Sequence, residues 1–384
     1  MECEKSIIGT CQTMCSLDEI KMREKEGRLH QLESSHERRA EKYRNRKLQT
    51  AEVGKMIKEY SRPAAGCHVP GPESLRPAPV LLKTVQYIFN KIIPRTDHRW
   101  AVIYDFSFDR LRAVRQDMVI QRIEGLDGIV LLESCVRFHI YAGYRLGTAN
   151  ISTFDPVINS QHAQECLKRL LVLYDEVQGT HKCREQFESI YLLYNLGDMN
   201  ALRHCLDLKR ELRHSLCLRL AFAISASHMT GNYVRTIRLA CRLPCPICQC
   251  AFHRHLKHIQ QCAIRTMSSG FSSKNTRFPC SKLQDLLAAN CEDDIRNMAT
   301  TCGLNVSSGF VCFQKSSYVS DNVLPTSDWA FLEEKLSEHN ISDLLMGETD
   351  RHMDRQTDSE QTDLEIQMQK LSVNPSSSSE AKIS

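Results

Sequence analysis

The sequence predicts an all-α helical array that ends in a winged helix and an acidic, mostly disordered tail. Apolar residues recur at helical spacing between residues 109 and 262, a helix–helix–hairpin pattern follows residue 270, and the last segment is rich in Ser, Asp and Gln. These observations divide the chain into five predicted segments. They are a charged N-terminal helical segment at 1–60, a Pro-rich connector at 61–79, a helical array at 80–270, a winged helix at 271–320 and the tail at 321–384.

The N-terminal segment is rich in charge and poor in large apolar residues between residues 16 and 60. Ser16, followed three residues later by Glu19, forms a capping box that predicts the start of a helix, and Gly27 predicts its interruption. Because few apolar side chains are present, we expect this helix to be solvated. Closely spaced prolines and glycines at 61–79 break helices and predict an extended connector, before an apolar helical run at 81–93.

The array is predicted from stripes of apolar residues with a helical period. Leu167, Leu170 and Tyr174 share one face of a segment, and Phe187 and Ile190 begin the same pattern on the next. Short helices of this kind pair as antiparallel hairpins and stack into a solenoid-like array, although no repeat of fixed length occurs.

After the array the pattern predicts two helices and a β-hairpin. Ser281 and Gln284 form a capping pattern for the first helix, and the second ends at Gly303. Residues 304–314 alternate in polarity on both sides of a Ser-Ser-Gly turn, which predicts two strands. From about residue 340 the chain has few apolar anchors, so truncation there is expected to leave folding unaffected.

Charge is distributed unevenly along a chain whose formal net charge is only +4. Residues 212–284, which we call the basic belt, contain eleven Lys or Arg residues and no Asp or Glu. Such a belt attracts phosphate backbones or acidic protein surfaces, and composition does not distinguish the two. Acidic residues at 292–294 would repel DNA from the second helix of the winged helix. Arg235, Arg238 and Arg242 lie at i, i+3 and i+7, which predicts one helical face. The candidate anion-binding residues are Arg235, Arg238, Arg242, Arg254, Lys257, Lys274, Arg277 and Lys282.

Several function classes are excluded by the sequence pattern. No long apolar run or signal peptide occurs, so we expect a soluble intracellular protein that does not associate with membranes. The 18 cysteines are scattered through apolar segments, as expected of reduced, buried thiols. No nucleophile motif or phosphate-binding loop is found, which predicts that the chain is not an enzyme and needs no cofactor.

A stretch rich in cysteine and histidine is a candidate zinc site. Cys245, Cys248, His253 and His258 have the spacing C-x2-C-x4-H-x4-H, and thiolate and imidazole ligands suit tetrahedral zinc. The stretch has no glycine for tight turns and continues a helical pattern, so we expect buried thiols and solvated histidines on a helix, without metal. The alternative ligands nearby are Cys250, His255 and Cys262.

The segment at residues 108–121 alternates arginines with aspartates, so that these side chains can pair along or between helices. A catalytic carboxylate pair would require an accompanying histidine or nucleophile, and none is found. We therefore predict a set of architectural ion pairs, which we call the structural lock. Its residues are Asp109, Arg110, Arg112, Arg115, Gln116 and Asp117.

Four segments resemble the SAC/GANP family, named for a yeast mRNA-export scaffold and the animal germinal-centre-associated nuclear protein. Ser16 and Phe108 depart from it, because Pro and Trp are common there. The resemblance spans roughly residues 9–318. The segments are GTCQTMCSLDE (9–19), RPAPVLLKTVQYI (76–88), FDRLRAVRQDMVIQ (108–121) and ESCVRFHI (133–140). Besides the structural lock, the motif residues are Gly9, Cys11, Cys15, Arg76, Pro77, Arg137, Phe138 and His139.

The resemblance implies a non-enzymatic scaffold related to subunits of the proteasome lid, the signalosome and a translation initiation factor. Such scaffolds pair with another winged-helix subunit, and in the export complex the pair presents a basic surface to RNA. The compact size is similar to that of small animal members, which implies roles in centrosome duplication, spindle assembly and mitotic progression, or in nuclear mRNA export. Direct RNA binding through the basic belt is the alternative. We expect the protein in cytoplasm and nucleus, and at the centrosome or spindle of dividing cells.

Overall fold

Helices account for most of the chain in a computed structural model, which describes residues 7–34, 51–62 and 70–347. Every element described belongs to one compact unit, which ends at Met346. Within the described ranges, no helix is both long and apolar enough to cross a membrane. The predicted predominance of helix is confirmed. The α-helices in these ranges are α1 (Leu17–Glu26), α2 (Ala78–Tyr87), α3 (Trp100–Ile120), α4 (Leu126–Arg145), α5 (Pro156–Glu176), α6 (Arg184–Tyr194), α7 (Met199–Asp207), α8 (Arg210–Arg213), α9 (Leu216–Met229), α10 (Tyr233–Ala240), α11 (Pro246–Gly270), α12 (Cys280–Leu287), α13 (Glu292–Thr301), α14 (Ala330–Ser337) and α15 (Ile341–Met346).

The N-terminal helix α1 begins and ends where the sequence predicts. The Ser16 hydroxyl accepts a hydrogen bond from the Glu19 amide, and Gly27 ends the helix in the left-handed conformation with φ of +68°. Most of the helix is exposed, as expected of a solvated helix, but Ile20 and Arg23 are buried. Ile20 belongs to a small apolar cluster with Cys15, Leu29 and Met56.

Residues 35–50 of the charged segment and 63–69 of the connector lie outside the described residues.

The connector is mostly exposed or half-buried where the structure describes it, but two of its residues are enclosed. Leu75 and Arg76 have no exposed side-chain area. Pro77 is the N-cap residue of α2, which starts slightly before the predicted array and passes into a π-helical turn at Ile88–Ile92. The predicted helical run at 81–93 is thereby confirmed.

The helices from α3 to α11 pack side by side as an array. α4 lies against α5, α9 lies between α6 and α10, and the long helix α11 packs against α4, α6 and α10. The predicted stripes face the interior, since Leu167 and Leu170 of α5 and Phe187 and Ile190 of α6 are buried. Most buried apolar residues join a single cluster, whose removal from water stabilises the array.

Two helices and a small antiparallel sheet follow α11. Strand β1 (Phe278–Pro279) precedes α12, and β2 (Asn305–Ser307) and β3 (Phe310–Cys312) follow α13, with strand order β1-β3-β2. The predicted hairpin is confirmed. Its turn residues Ser308 and Gly309 both have positive φ, as a type I′ turn requires.

The predicted capping pattern of α12 is wrong. Pro279 pairs with Phe310 in the sheet and α12 begins immediately afterwards, so Ser281 lies inside the first turn and no side chain caps the helix. The Gln284 side chain instead donates a hydrogen bond to the carbonyl of Asn290. Strand pairing, which the local sequence pattern does not report, sets the start of this helix.

The predicted boundary of the disordered tail is also wrong. Residues 324–346 fold against the array, with Trp329 and Leu332 buried, and Leu344 and Leu345 of α15 packed near α4 and the π-helical turn. These apolar residues are too few to form a sequence stripe, yet each is almost fully enclosed. The expectation that truncation near residue 340 leaves folding unaffected is therefore not supported, because the truncation would remove buried residues. The part of the predicted tail at 348–384 lies outside the described residues.

Candidate functional surface

The structural lock lies on α3 and joins this helix to the N-terminal segment and the connector. The fully buried carboxylate of Asp117 accepts hydrogen bonds from Lys58 Nζ at 2.6 Å and from Arg76 Nε at 2.7 Å. Charges removed from water are stable only when their partners are in place. These three residues therefore form one buried ion-pair cluster that connects three separate stretches of the chain.

A second cluster surrounds the fully buried Glu33. Its carboxylate pairs with Arg23 and with Arg110, whose Nη2 lies 3.0 Å away, and it accepts a hydrogen bond from the Ile57 amide at 2.9 Å. Arg110 also pairs with Asp109. Sequence reasoning missed Glu33 and Arg23, because charged residues dominate that segment and nothing local marks these two as buried.

The remaining lock residues contact different partners, so the six predicted residues do not form one network. The Arg112 guanidinium lies 3.8 Å from the ring centroid of Tyr60, a cation–π contact. Gln116 donates a hydrogen bond to a connector carbonyl. Arg115 faces the other way and pairs with Glu165 of α5 at 3.0 Å.

The first family segment packs closely against the connector. A Cβ atom on Gly9 would lie 2.3 Å from the carbonyl oxygen of Leu75, so only glycine fits. The Gly9 amide donates a hydrogen bond to the Gln121 side chain at 2.8 Å. Cys11 and Cys15 are buried, and burial raises the pKa of the Cys15 thiol. Both cysteines are packing residues here.

The last family segment is buried along α4. Arg137 donates a hydrogen bond to Gln186 of α6 at 3.0 Å, and Phe138 lies in the core. The His139 ring contacts the Asn159 side chain of α5 at 2.8 Å, and burial lowers the pKa of His139 to about 3. The imidazole is therefore neutral near pH 7 and serves to join α4 to α5.

The basic belt is distributed over several elements. Arg235 and Arg238 are exposed on one face of α10, as predicted. The predicted third member, Arg242, is half-buried and lies beyond the end of the helix, so the predicted three-residue helical face is wrong. Arg254 and Lys257 belong to α11 and line a cavity. Of the rest, Lys274 and Arg277 are exposed before β1, and Lys282 is exposed on α12.

The cysteine- and histidine-rich stretch is helical, as its pattern predicts, and forms the first half of α11. Cys245 is the N-cap residue, and Cys248 Sγ lies 3.7 Å from Cys217 Sγ. His253 is buried rather than solvated and donates a hydrogen bond to the carbonyl of Ser327 at 2.9 Å, whereas His258, the fourth candidate, is exposed as expected. Among the described residues, no group of three or more potential ligands could hold a metal ion.

Purified protein is expected to contain no stoichiometric zinc, and a chelator should leave its thermal transition unchanged. Hydrogen bonding to Cys217 and Cys245, together with burial, raises the pKa of the Cys248 thiol, and burial lowers the pKa of His253. Zinc requires a deprotonated thiolate, which this environment disfavours. Elemental analysis of the purified chain tests the expectation, and one zinc per chain would contradict it.

A model of the SAC3/GANP family matches residues 14–308, which is more than half of the chain. The chain belongs to the SAC3/GANP family. The matched range runs from just before α1 to the turn of the hairpin. It contains the structural lock, the Glu33 cluster and the whole basic belt, while Gly9, Cys11 and the two last helices lie outside it.

Three relatives in this family are much longer than the chain. SAC3 family protein 1 of Schizosaccharomyces pombe is 24% identical, over 89% of this chain and 35% of the relative. SAC3 family protein B of Arabidopsis thaliana is 26% identical, over 78% of this chain and 18% of the relative. Protein xmas of Drosophila melanogaster is 26% identical, over 65% of this chain and 13% of the relative. The chain thus spans about a third or less of these SAC3/GANP relatives.

Proposed function

We propose that the chain is a non-enzymatic scaffold subunit that pairs with a second winged-helix subunit and presents a basic surface to RNA. The observation that carries the proposal is the position of the exposed arginines of α10 next to α11 and α12, the helices that flank the small sheet. We place the subunit in an assembly of nuclear mRNA export. The competing proposal places it in a centrosomal or spindle assembly of dividing cells.

The winged-helix part of the proposal rests on topology. The order α11, β1, α12, α13, β2, β3, with β3 between the other two strands, is the order of helices and strands in a winged helix. Within its hairpin, Phe310 is 36% exposed although it is a large apolar residue. An apolar residue exposed on a sheet is suited to contact with a partner subunit.

Pairing is tested by purifying the tagged full-length chain from dividing cells and identifying its partners by mass spectrometry. We expect a winged-helix subunit to copurify, and Phe310→Glu to remove it, because a buried unpaired charge at an interface costs several kcal/mol. Val323→Glu is the control, since Val323 is 69% exposed and lies outside the sheet. Absence of any winged-helix partner from the wild-type sample would contradict the proposal. Export factors or centrosomal proteins among the partners decide between the two placements.

The basic face of α10 is expected to bind single-stranded RNA. Replacing Arg235 and Arg238 with Glu should weaken binding to poly(U) at least tenfold and make it less sensitive to salt, because fewer counterions are released. Both residues are exposed, so the double variant should fold, with each change costing within about 0.5 kcal/mol.

The matched control is Lys83→Glu with Lys91→Glu, which changes net charge equally at exposed positions near α2. Anisotropy measurements at several salt concentrations compare the two variants. Equal weakening in both would mean that RNA senses only net charge, and unchanged binding in the α10 variant would exclude this face.

A further inference from the structure

A cavity of about 250 Å³ opens between α4, α5 and α11 and continues into a wider groove along the first turns of α5. Ile140 and Phe154 form apolar wall, and Gly143 and Gly147 contribute no side chain there, which leaves the space open. The two parts are continuous because they share lining residues. The shared residues are Pro156, Ser160 and Arg254.

Two cations of α11, Arg254 and Lys257, line the cavity and are called the cation pair; Arg254 also lines the groove, and cavity and groove together are called the groove below. The Arg254 guanidinium stacks on Tyr194, 3.8 Å from the ring centroid, and donates a hydrogen bond to the Ser160 hydroxyl at 3.3 Å. Lys257 Nζ donates to the Thr326 hydroxyl at 3.0 Å. Among the residues that the structure describes, neither cation pairs with a carboxylate. An acidic group from outside can therefore pair with both cations without displacing a carboxylate from either of them.

Two carboxylates near the groove are already engaged. Glu165, in its outer part, pairs with Arg115 at 3.0 Å. Glu333 accepts a hydrogen bond from the Tyr144 hydroxyl at 2.7 Å and pairs with Arg145. Neutralising the cation pair with Glu165 or Glu333 would require breaking one of these contacts.

The walls of the groove suit aliphatic side chains better than nucleic-acid bases. A base binds single-strand platforms by stacking on an open aromatic face. Here Arg254 covers the face of Tyr194, and Phe154 and Tyr144 are each only 3% exposed. By contrast, Val157 is 61% exposed and lines the outer part of the groove, where it offers aliphatic contact.

We propose that this groove binds a linear peptide segment of a partner protein that combines acidic and aliphatic residues. A carboxylate of the peptide pairs with Arg254 and Lys257, and a neighbouring aliphatic side chain enters the cavity. The cavity of about 250 Å³ has room for an aliphatic side chain, and the wider groove along α5 has room for the adjoining peptide backbone. The residues differ from those of the α10 face, so this inference stands independently of RNA binding and of winged-helix pairing.

A random-peptide phage library tests the proposal and requires no named partner. The library is selected on the full-length wild-type chain and depleted on the variant with Arg254→Gln and Lys257→Gln. Enriched peptides are then synthesised with a fluorescent label, and their affinities are measured for wild type, for this variant and for Arg265→Gln. Arg265 is an exposed arginine of the same helix outside the groove, which makes it a matched control.

The expected result is enrichment of sequences that contain Asp or Glu beside Leu, Ile or Val. Their affinity should fall at least tenfold in the double variant and stay unchanged in Arg265→Gln. Circular dichroism and the thermal transition check that the variants fold. If the double variant does not fold, the single variant Arg254→Gln is used in its place, because Arg254 is exposed and its replacement should not disturb packing.

Three outcomes would overturn the proposal. One is the absence of peptides that survive depletion, and another is enrichment of sequences without acidic residues. The third is that poly(U) binds through the cation pair, independently of Arg265, while no enriched peptide binds in this way. That result would assign the groove to RNA.

Discussion

Replacing Asp117 with Asn is expected to lower the free energy of unfolding by about 3–5 kcal/mol, the usual cost of breaking a buried ion pair from one side. Asn keeps the shape of the side chain but removes its charge. Lys58, 8% exposed, and the fully buried Arg76 would then share no counter-charge. Since Asp117 connects α3 to the segments before it, we expect the N-terminal segment to become accessible to protease at lower denaturant concentrations.

Denaturant unfolding of wild type and variants measures this cost. Asp105→Asn is the matched control, because Asp105 is exposed on the same helix and its replacement should change stability by less than about 0.5 kcal/mol. A combined replacement of Lys58 and Arg76 by Met and Asp117 by Leu should recover part of the loss, since no charge then remains buried. A loss below about 1 kcal/mol for Asp117→Asn would mean that the cluster contributes little.

The structural lock shows how far sequence reasoning reaches. The motif on α3 presents arginines and aspartates together, and their pairing could be predicted from one segment. The partners could not: Lys58, Glu33 and Arg23 lie in charged stretches whose residues look solvated. Burial of these side chains results from packing between distant parts of the chain, and no local period records it.

The array and the hairpin were predictable for the opposite reason. Helical stripes and a Ser-Ser-Gly turn are local patterns, and tertiary packing reinforces them. The two helices α14 and α15 were missed because their few apolar residues are separated by polar ones. Trp329 is only 2% exposed. A single large buried side chain can thus anchor a segment whose average hydrophobicity is low.

The basic belt illustrates a third case. Composition predicted that residues 212–284 bind an anion, but it treated them as one surface. The fold separates the exposed arginines of α10 from the cation pair in the groove of α11, where aliphatic walls add a second requirement. The proposed RNA-binding face and the proposed peptide groove therefore lie on neighbouring helices of one charged stretch.

Replacing Leu345 with Ala is expected to lower the free energy of unfolding by about 2–5 kcal/mol, the range for a buried leucine. Leu345 is fully buried on α15, which packs against α4 and the π-helical turn. The hydroxyl of Ser342 also donates a hydrogen bond to the Phe89 carbonyl at 2.7 Å. The last helix is thus part of the core, although the sequence around it is acidic and polar.

Two truncations provide the control, measured by thermal unfolding. A chain that ends at Gly347 keeps α15 and should melt close to the full chain, because residues 348–384 contain few large apolar side chains. A chain that ends at Asn340 loses Leu344 and Leu345 and should melt several degrees lower. Equal transitions for the two truncated chains would show that α15 adds no net stability, since the entropy of ordering it would then offset the burial of both leucines.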